Sequence, residues 1–427
     1  MSMEQCVKLQ QKTIDTTFDA VIAGGGLSGI MAAIAAAREN KKVILIEKQG
    51  YLGGMATAGL ISPFMNYCER NSQTVANAGL FSALLKRMYD IGALETPTSR
   101  TFREQLLKIV LDKMLQENDV KVLLHAYLSA VNCENGTVRS VTVSTVSGNI
   151  EIRGKYFIDA TGDGNLFALA GMEYYLRNGP EDYSQPMTTC FNVINVDWDK
   201  FDLTKMNKLY ARYQSEGKIK NPRENILVFS SPIKHLMHFN TTRIVKKDPC
   251  DVEDLTEAEM IGREQVYEIF NFLKEHADGM QNIELINIAD EIGVRESRRV
   301  RGLYQLTEED LLSTKKFADS IARGTYDIDI HNPNGTGTVI KQIPPHDYYT
   351  VPYRCLVPCE SKNLLVAGRA ISSTHQAHSS VRVMPITSCI GEAAGIAAAI
   401  ACETGCAVKD VPVGRLHAAL DKYGGLY

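Results

Sequence analysis

Two short segments carry the side chains best suited to chemistry. The first is Arg295-Glu296-Ser297-Arg298-Arg299, three arginines in five residues. A guanidinium meets a carboxylate through a rigid planar fork, so Arg295 with Arg298 is a candidate clamp for an anionic substrate. The same residues also suit a solvated or salt-bridged helix face. At helical spacing no more than two of these arginines reach one pocket. The second segment is Thr374-His375-Gln376-Ala377-His378-Ser379-Ser380-Val381-Arg382. His375 and His378 are candidate acid–base groups and Arg382 a candidate anion binder. A weaker set is Asp329 with His331, and Tyr353 with Arg354 after Pro352. A tyrosine proton donor and an arginine anion binder are available there, but packing is the better reading of each taken singly.

These groups need a scaffold, and the N-terminal end describes one. Phe18 to Ala23 is an apolar run fit for a buried parallel strand. Gly24-Gly25-Gly26-Leu27-Ser28-Gly29 follows, then an Ala-rich helical stretch from Ile30 to Arg38, a second strand from Lys42 to Ile46, and an acid at Glu47. Strand, GxGxxG, helix, strand and an acid about 20 residues on form the dinucleotide-binding arrangement. Gly24 permits the tight turn, Gly26 lets the backbone approach a pyrophosphate, and Gly29 lets the helix pack on the strand. The helix N-terminus offers free N–H groups to the phosphates. Glu47 accepts from ribose hydroxyls and repels a 2′-phosphate. Leu27 and Ser28 in the turn, and Lys48 after the acid, complete this candidate contact set.

Three further glycine-containing segments follow. Gly50-Tyr51-Leu52-Gly53-Gly54-Met55-Ala56-Thr57 comes directly after the acid. A strand-like run from Tyr156 to Thr161 leads to Gly162-Asp163-Gly164, and Asn363 to Arg369 ends another strand. A small-residue helix from Gly391 to Ala399 closes the series. The stretches AGGGLSGIMAA, EKQGYLGGMAT, IDATGDGNLFALAG, IGVRESRRVRGLYQLTEEDL, DIDIHNP, YYTVPYRCLVP, NLLVAGRAISSTHQAHSSVRVMP and GEAAGIAAA together resemble the FAD-dependent oxidoreductase family. That family is widespread in bacteria, has a glutathione-reductase-type FAD-binding fold and is related to the fumarate reductase and succinate dehydrogenase flavoproteins. The resemblance spans roughly Phe18 to Ala401.

The resemblance implies FAD as the cofactor. Gly24, Gly26, Gly29 and Glu47 would hold the ADP half, with Leu128 offering backbone atoms to the adenine and Thr161, Gly162 and Asp163 closing over it. Gly53, Gly54, Met55 and Thr57 would run along the pyrophosphate and flavin, and Gly391 would lie close to the cofactor. The N–H groups of Val383 and Met384, ahead of Pro385, would face the flavin carbonyl and stabilise negative charge on the ring. The segment holding His375 and His378 would run beside that ring. Many relatives carry Gly-Asp where this chain has Gly368-Arg369. The arginine suits bidentate contact with a phosphate instead.

The expected fold class is α/β: a Rossmann-like FAD-binding domain around a parallel sheet, with an inserted α+β cap domain containing an antiparallel sheet. Residues 1–178 and 346–427 are assigned to the FAD domain and 179–345 to the cap. Within the cap, Pro186–Trp198 and Ile226–Val245 alternate like strands, and Thr256–His276 reads as an amphipathic helix with Thr256 and Glu259 as its capping box. The resulting expectation is hydride transfer between flavin and a small organic substrate, carboxylate or sugar-derived, in the interdomain cleft. An oxygen-using oxidase or hydroxylase, an electron-transfer component and a tRNA-modifying component are the alternatives.

Composition narrows the partners. The chain has 427 residues, 44% hydrophobic and 22% charged, which are ordinary globular values. A net charge of −4 and a lone Trp198 argue against nucleic acid and anionic lipid as partners. The apolar runs Ile30–Ala37 and Ala393–Cys402 are short of the roughly 20 residues a membrane span needs. No leader segment is expected at Met1–Phe18. The ten irregularly spaced cysteines read as reduced thiols, and no metal site is expected. The expected location is the cytoplasm, and a homodimer suits the fold type.

Overall fold

Val21, Ile22 and Ala23 are apolar on both sides because they run through the middle of a covered parallel sheet. This strand, β1 (Thr17–Ala23), pairs in parallel with β2 (Val43–Ile46) and with the second half of a long strand, Gly148–Asp159. Outside β2 lies Lys121–Leu123, and outside the long strand lies Leu364–Val366, both parallel. The register places Ala23 level with Ile46 and Asp159, and Asp159 level with Val366. The four carboxyl ends thus form one edge, where ligands of open α/β sheets sit. The first half of Gly148–Asp159 turns to antiparallel pairing with Thr137–Thr145, which pairs with Tyr127–Glu134. The structure, a computed structural model, describes residues 13–14, 17–177 and 182–427. Cys6 and the boundary read at 178/179 lie outside the described residues.

Helix α1 (Leu27–Arg38) covers one face of this sheet and crosses the helix Met384–Thr404 at close range. Small residues permit it: a Cβ on Gly391 would lie 2.1 Å from the Ser28 carbonyl oxygen, and one on Gly395 2.1 Å from that of Ala32. The missing side chain of Gly391 is therefore used by the close approach of α1. Met384–Thr404, 21 residues, also extends well beyond the short apolar run read from the sequence. It is long and apolar enough to cross a membrane, but it is almost wholly buried in the core.

A second hydrophobic cluster surrounds a four-stranded antiparallel sheet in the order Glu284–Ile288, Phe191–Ile194, Met237–Phe239, Val228–Ser230. Phe191 and Phe239 stack at 4.7 Å across it. Helices Leu203–Ser215 and Val252–His276 contribute to the same cluster. The strands are shorter than their alternation suggested. Glu284–Ile288 escaped notice because a register shift between Leu285 and Asn287 breaks its alternation. Val252–His276 begins before the expected start and is capped by Asp251, whose side chain accepts from the Glu253 and Asp254 N–H groups. Thr256 instead bonds back to the Val252 carbonyl, and Glu259 accepts from the Ile292 N–H at 2.7 Å. The main hydrophobic core is built from residues between Phe18 and Met172 and between Val300 and Leu420.

Candidate functional site

A cleft of about 290 Å³ opens at the carboxyl edge of the parallel sheet, lined by Ala23, Gly24, Glu47, Lys48, Leu128, Thr161 and Asp163. Gly24 has φ +106°, and a Cβ there would lie 2.2 Å from the Ala160 carbonyl oxygen. A Cβ on Gly26, in contrast, would make only ordinary contact, with Gly54 Cα at 3.9 Å. The second glycine segment lies against the first: Gly53 N–H donates to the Gly25 carbonyl at 2.8 Å. Thr57 is buried and donates to the Leu52 carbonyl at 2.8 Å, which fixes the loop containing Gly54 and Met55.

Glu47 accepts from the Gly25 N–H at 2.6 Å and from the Gln49 N–H at 2.8 Å. Burial raises its pKa, and these two donors only partly offset that. Lys48 pairs with Glu291 at 2.6 Å. Asp163 is held by Arg369 at 2.6 Å, and Ser297 donates to the Gly162 carbonyl at 3.4 Å. Burial works against the Asp163 carboxylate, but Arg369 outweighs it and leaves the pKa below its ordinary value. Pro249, Cys250 and Asp251 also line this cleft. They come from the middle of the chain, and no local pattern marks them.

A larger cavity, about 750 Å³, adjoins the first helix turn of Met384–Thr404. Met55, Arg369, Val383 and Met384 are among its lining residues. The charged and titratable groups elsewhere in its lining are Arg100, Arg223, Glu224, Arg295, Tyr326, Asp329, His331 and Arg382. Arg295 donates to the Pro186 carbonyl at 2.5 Å. Burial, with Arg382 and Arg223 nearby, pushes its pKa down to about 9. The first N–H groups of a helix have no intrahelical acceptor, and Val383 and Met384, at that end of Met384–Thr404, line the cavity. Among the described residues no group of three or more His, Cys, Asp or Glu side chains is placed to hold a metal ion.

Residues 19–420 match the model of a family described as "FAD dependent oxidoreductase". The chain belongs to this family. Its cofactor is FAD, and it is an FAD-dependent oxidoreductase. It is also similar to a ferredoxin–NADP reductase of Leuconostoc citreum (strain KM20), 26% identical over 54% of this chain. That match spans 60% of the relative's own length. Among solved structures, it is similar to a geranylgeranyl bacteriochlorophyll reductase-like protein of Thermoplasma acidophilum, with 14% identity, 96% and 84% coverage of the two chains and a TM-score of 0.44. It is likewise similar to p-nitrophenol 4-monooxygenase of Pseudomonas putida DLL-E4, with 12% identity, 96% and 86% coverage and a TM-score of 0.47.

The two clefts suit FAD on independent grounds. Gly24 and Gly26 keep the turn before the helix free of side-chain bulk, so that a pyrophosphate would meet backbone and the helix N-terminus there. Two of the buried atoms lacking a partner are Ser28 Oγ, at the start of α1 beside the first glycine turn, and Arg369 Nε, on a residue that lines the larger cavity and pairs with Asp163 of the smaller cleft. Gly368 has φ +85°, a left-handed conformation that favours glycine, and a Cβ there would make only ordinary contact with Ser28 at 3.5 Å.

Several sequence candidates lie elsewhere in this flavoenzyme. Residues 293–298 are not helical and lead into a short strand, Arg299–Val300, so the three arginines diverge. Only Arg295 reaches the large cavity. Arg298 lines the smaller cleft and donates to the Asp163 carbonyl at 3.0 Å and Asn165 at 3.1 Å. Arg299 is buried against Glu296. Glu296 also meets His375 Nδ1 at 2.8 Å and accepts from the Gln185 N–H at 3.0 Å. His378 is buried with neither ring nitrogen partnered, and burial, then Arg299, Arg382 and Arg369, keep it uncharged. Neither histidine lines the cavity. Tyr353 is buried and donates to the Val408 carbonyl at 2.7 Å, and Arg354 pairs with Asp319 at 2.9 Å, so both are packing residues. Sequence reasoning missed Arg100, Arg223 and Tyr326. Only Tyr326 had a signal, as the neighbour of the alternating run that ends in His331.

Proposed function

We propose that this flavoenzyme moves a hydride between FAD and a small anionic organic substrate bound in the larger cavity. Gly24, Gly26, Gly29 and Glu47 hold the ADP half, with Leu128, Thr161 and Asp163 closing over it. The Gly53–Thr57 loop and Arg369 lead from that half toward the cavity. Val383 and Met384 present a positive helix end to the ring. When bound, FAD supplies the two-electron chemistry, and the protein supplies position, charge and proton handling.

The observation that carries the anionic substrate is the charge of the wall. Arg100, Arg223, Arg295, Arg369 and Arg382 line the cavity, where the lining acids are Glu224 and Asp329, and Asp163 of the smaller cleft pairs with Arg369. Burial first, and then the charges of Arg382 and Arg223, depress Arg295, and a bound anion relieves the repulsive part. Binding of acetate, propionate and hexanoate, read from the visible absorption of the bound flavin, tests this. Arg295→Gln removes a charge-assisted hydrogen bond worth about 1.5–3 kcal/mol, so affinity should fall by at least about ten-fold with flavin content unchanged. Undiminished affinity would remove the anion clamp from the argument.

A further inference from the structure

One wall of the cavity is the hairpin Ile328–His331 with Thr338–Lys341. Strand side chains alternate, so Ile328 is buried in the core while Asp329 and His331 both face the cavity. Thr338 and Ile340 stand opposite them and line it too. Arg243 is almost completely buried behind this wall, and its Nη2 lies 3.1 Å from His331 Nδ1. A guanidinium has donors and no acceptor, so Nδ1 must accept. The proton of a neutral ring then sits on Nε2, the nitrogen 3.7 Å from Asp329 Oδ2. Burial, together with Arg295, Arg382, Arg223 and Arg243, holds the ring's pKa well below the ordinary histidine value. Tyr326 donates to Asp329 Oδ2 at 2.9 Å, and the Asp329 N–H donates to Ser379 Oγ at 3.0 Å.

A carboxylate acceptor beside a neutral N–H donor matches a group that both donates and accepts. A hydroxyl does so, whereas a saturated or unsaturated hydrocarbon chain does not. We propose that the substrate is a hydroxylated carboxylate, its carboxylate toward Arg223, Arg295 and Arg382 and the hydroxyl of its reacting carbon between Asp329 and His331. This rests on the anionic-substrate reading above and narrows it. Oxidation at that carbon breaks its C–H bond, the electron pair leaving as a hydride that FAD takes up. It also breaks the O–H bond, the proton passing to Asp329 while the electron pair left on oxygen forms the C=O bond. Reduction returns both. Asp329 and His331 are then catalytic residues, and Tyr326 and Arg243 are positioning residues.

The experiment compares binding of matched pairs to the anaerobic holoenzyme by calorimetry: lactate beside propionate, and gluconate beside hexanoate. In at least one pair the hydroxylated member should bind about ten-fold tighter, and Asp329→Asn should abolish that preference. Equal affinity within both pairs, with all four weakened by Arg295→Gln, overturns the hydroxyl assignment and leaves the anion site standing. Failure of any carboxylate to bind overturns both. A second readout is the 15N spectrum of histidine-labelled protein, with His331 assigned by its loss in His331→Asn. His331 should show the neutral Nε2–H form from about pH 5 to 8, and Arg243→Met should mix the tautomers. An imidazolium signal from His331 at about pH 6 would sink the proposal.

Discussion

The two clefts are built from different materials. The smaller one is shaped largely by backbone: glycine turns, the carboxyl ends of parallel strands, and N–H groups held by Glu47. The larger one is shaped by side chains from distant parts of the chain, with Arg100, Arg223, Arg295, Asp329 and Arg382 each on a different segment. A backbone site depends on residues without bulk and tolerates little added volume. A side-chain site depends on the surroundings that keep each charge in place. Substitutions should therefore do harm in opposite ways in the two halves.

The largest expected effect is on the backbone side. A Cβ on Gly29 would lie 1.9 Å from the Gly24 carbonyl oxygen, with backbone rather than a flexible side chain in its way. Gly29→Val should leave a protein that cannot close the first turn. It should purify without visible flavin absorption or fail to accumulate as soluble protein. A Gly29→Val protein carrying a full complement of FAD would break the comparison.

On the side-chain side the most sensitive point is the support behind the cavity. Glu296 is fully buried and joins Arg299 to His375. Burial raises its pKa, but the His375 hydrogen bond and the Arg299 charge outweigh this and keep it ionised. Glu296→Ala leaves Arg299 as a buried charge without its partner, at a cost of about 3–5 kcal/mol. Thermal unfolding of the holoprotein should show a correspondingly large drop in Tm, whereas a change under about 1 kcal/mol would mean that Arg299 is satisfied by the carbonyls of Arg177 and Ser373 alone.

This contrast also explains what the sequence revealed. Gly24, Gly26, Gly29 and Glu47 were legible because strand, turn, helix and acid are consecutive, so local spacing fixes their relative positions. The strands beside them were legible for the same reason, since a buried parallel strand is a continuous apolar run. Arg223 and Arg100 gave no such signal, because their arrival at the cavity depends on the tertiary path of loops. Arg298 was grouped with Arg295 on helical spacing, but the chain is not helical there and the two reach different clefts. His375 and His378 lie on a short helix, His375–Val381, that turns both rings into the core. Polar residue type alone did not reveal that burial.

Glu392 sharpens the comparison by lying on the helix that serves both halves, Met384–Thr404, while lining neither cleft. Its Oε2 accepts from the Leu80 N–H at 2.9 Å and its Oε1 is buried without a partner. Burial raises its pKa from 4.5 to about 7, partly offset by that N–H. Between those values the folded state binds more protons than the unfolded one, so stability falls as pH rises through the window. Glu392→Gln keeps an acceptor for Leu80 and removes the ionisation. Its Tm should approach or exceed that of the parent as pH rises from 5 to 8, a relative gain on the order of 2–3 kcal/mol at most. Parallel pH profiles for the two proteins would show that the carboxyl ionises without penalty in the folded state.

The smallest expected effect is at the rim of the backbone cleft. Lys48 follows Glu47 and reaches Glu291 at 2.6 Å, with half of the Lys48 side chain exposed. An ion pair this open to water contributes about 0–1 kcal/mol. It also links the segment after β2 to the chain just before Arg295, so it is a point where the two halves touch. Lys48→Ala should shift Tm by no more than a few degrees and leave bound flavin unchanged, because glycines and Glu47 rather than Lys48 form the turn. A marked loss of flavin from Lys48→Ala would mean that side-chain charge, and not backbone alone, holds the cofactor in the smaller cleft. The contrast between the two sites would then reduce to a difference in which charges each one uses.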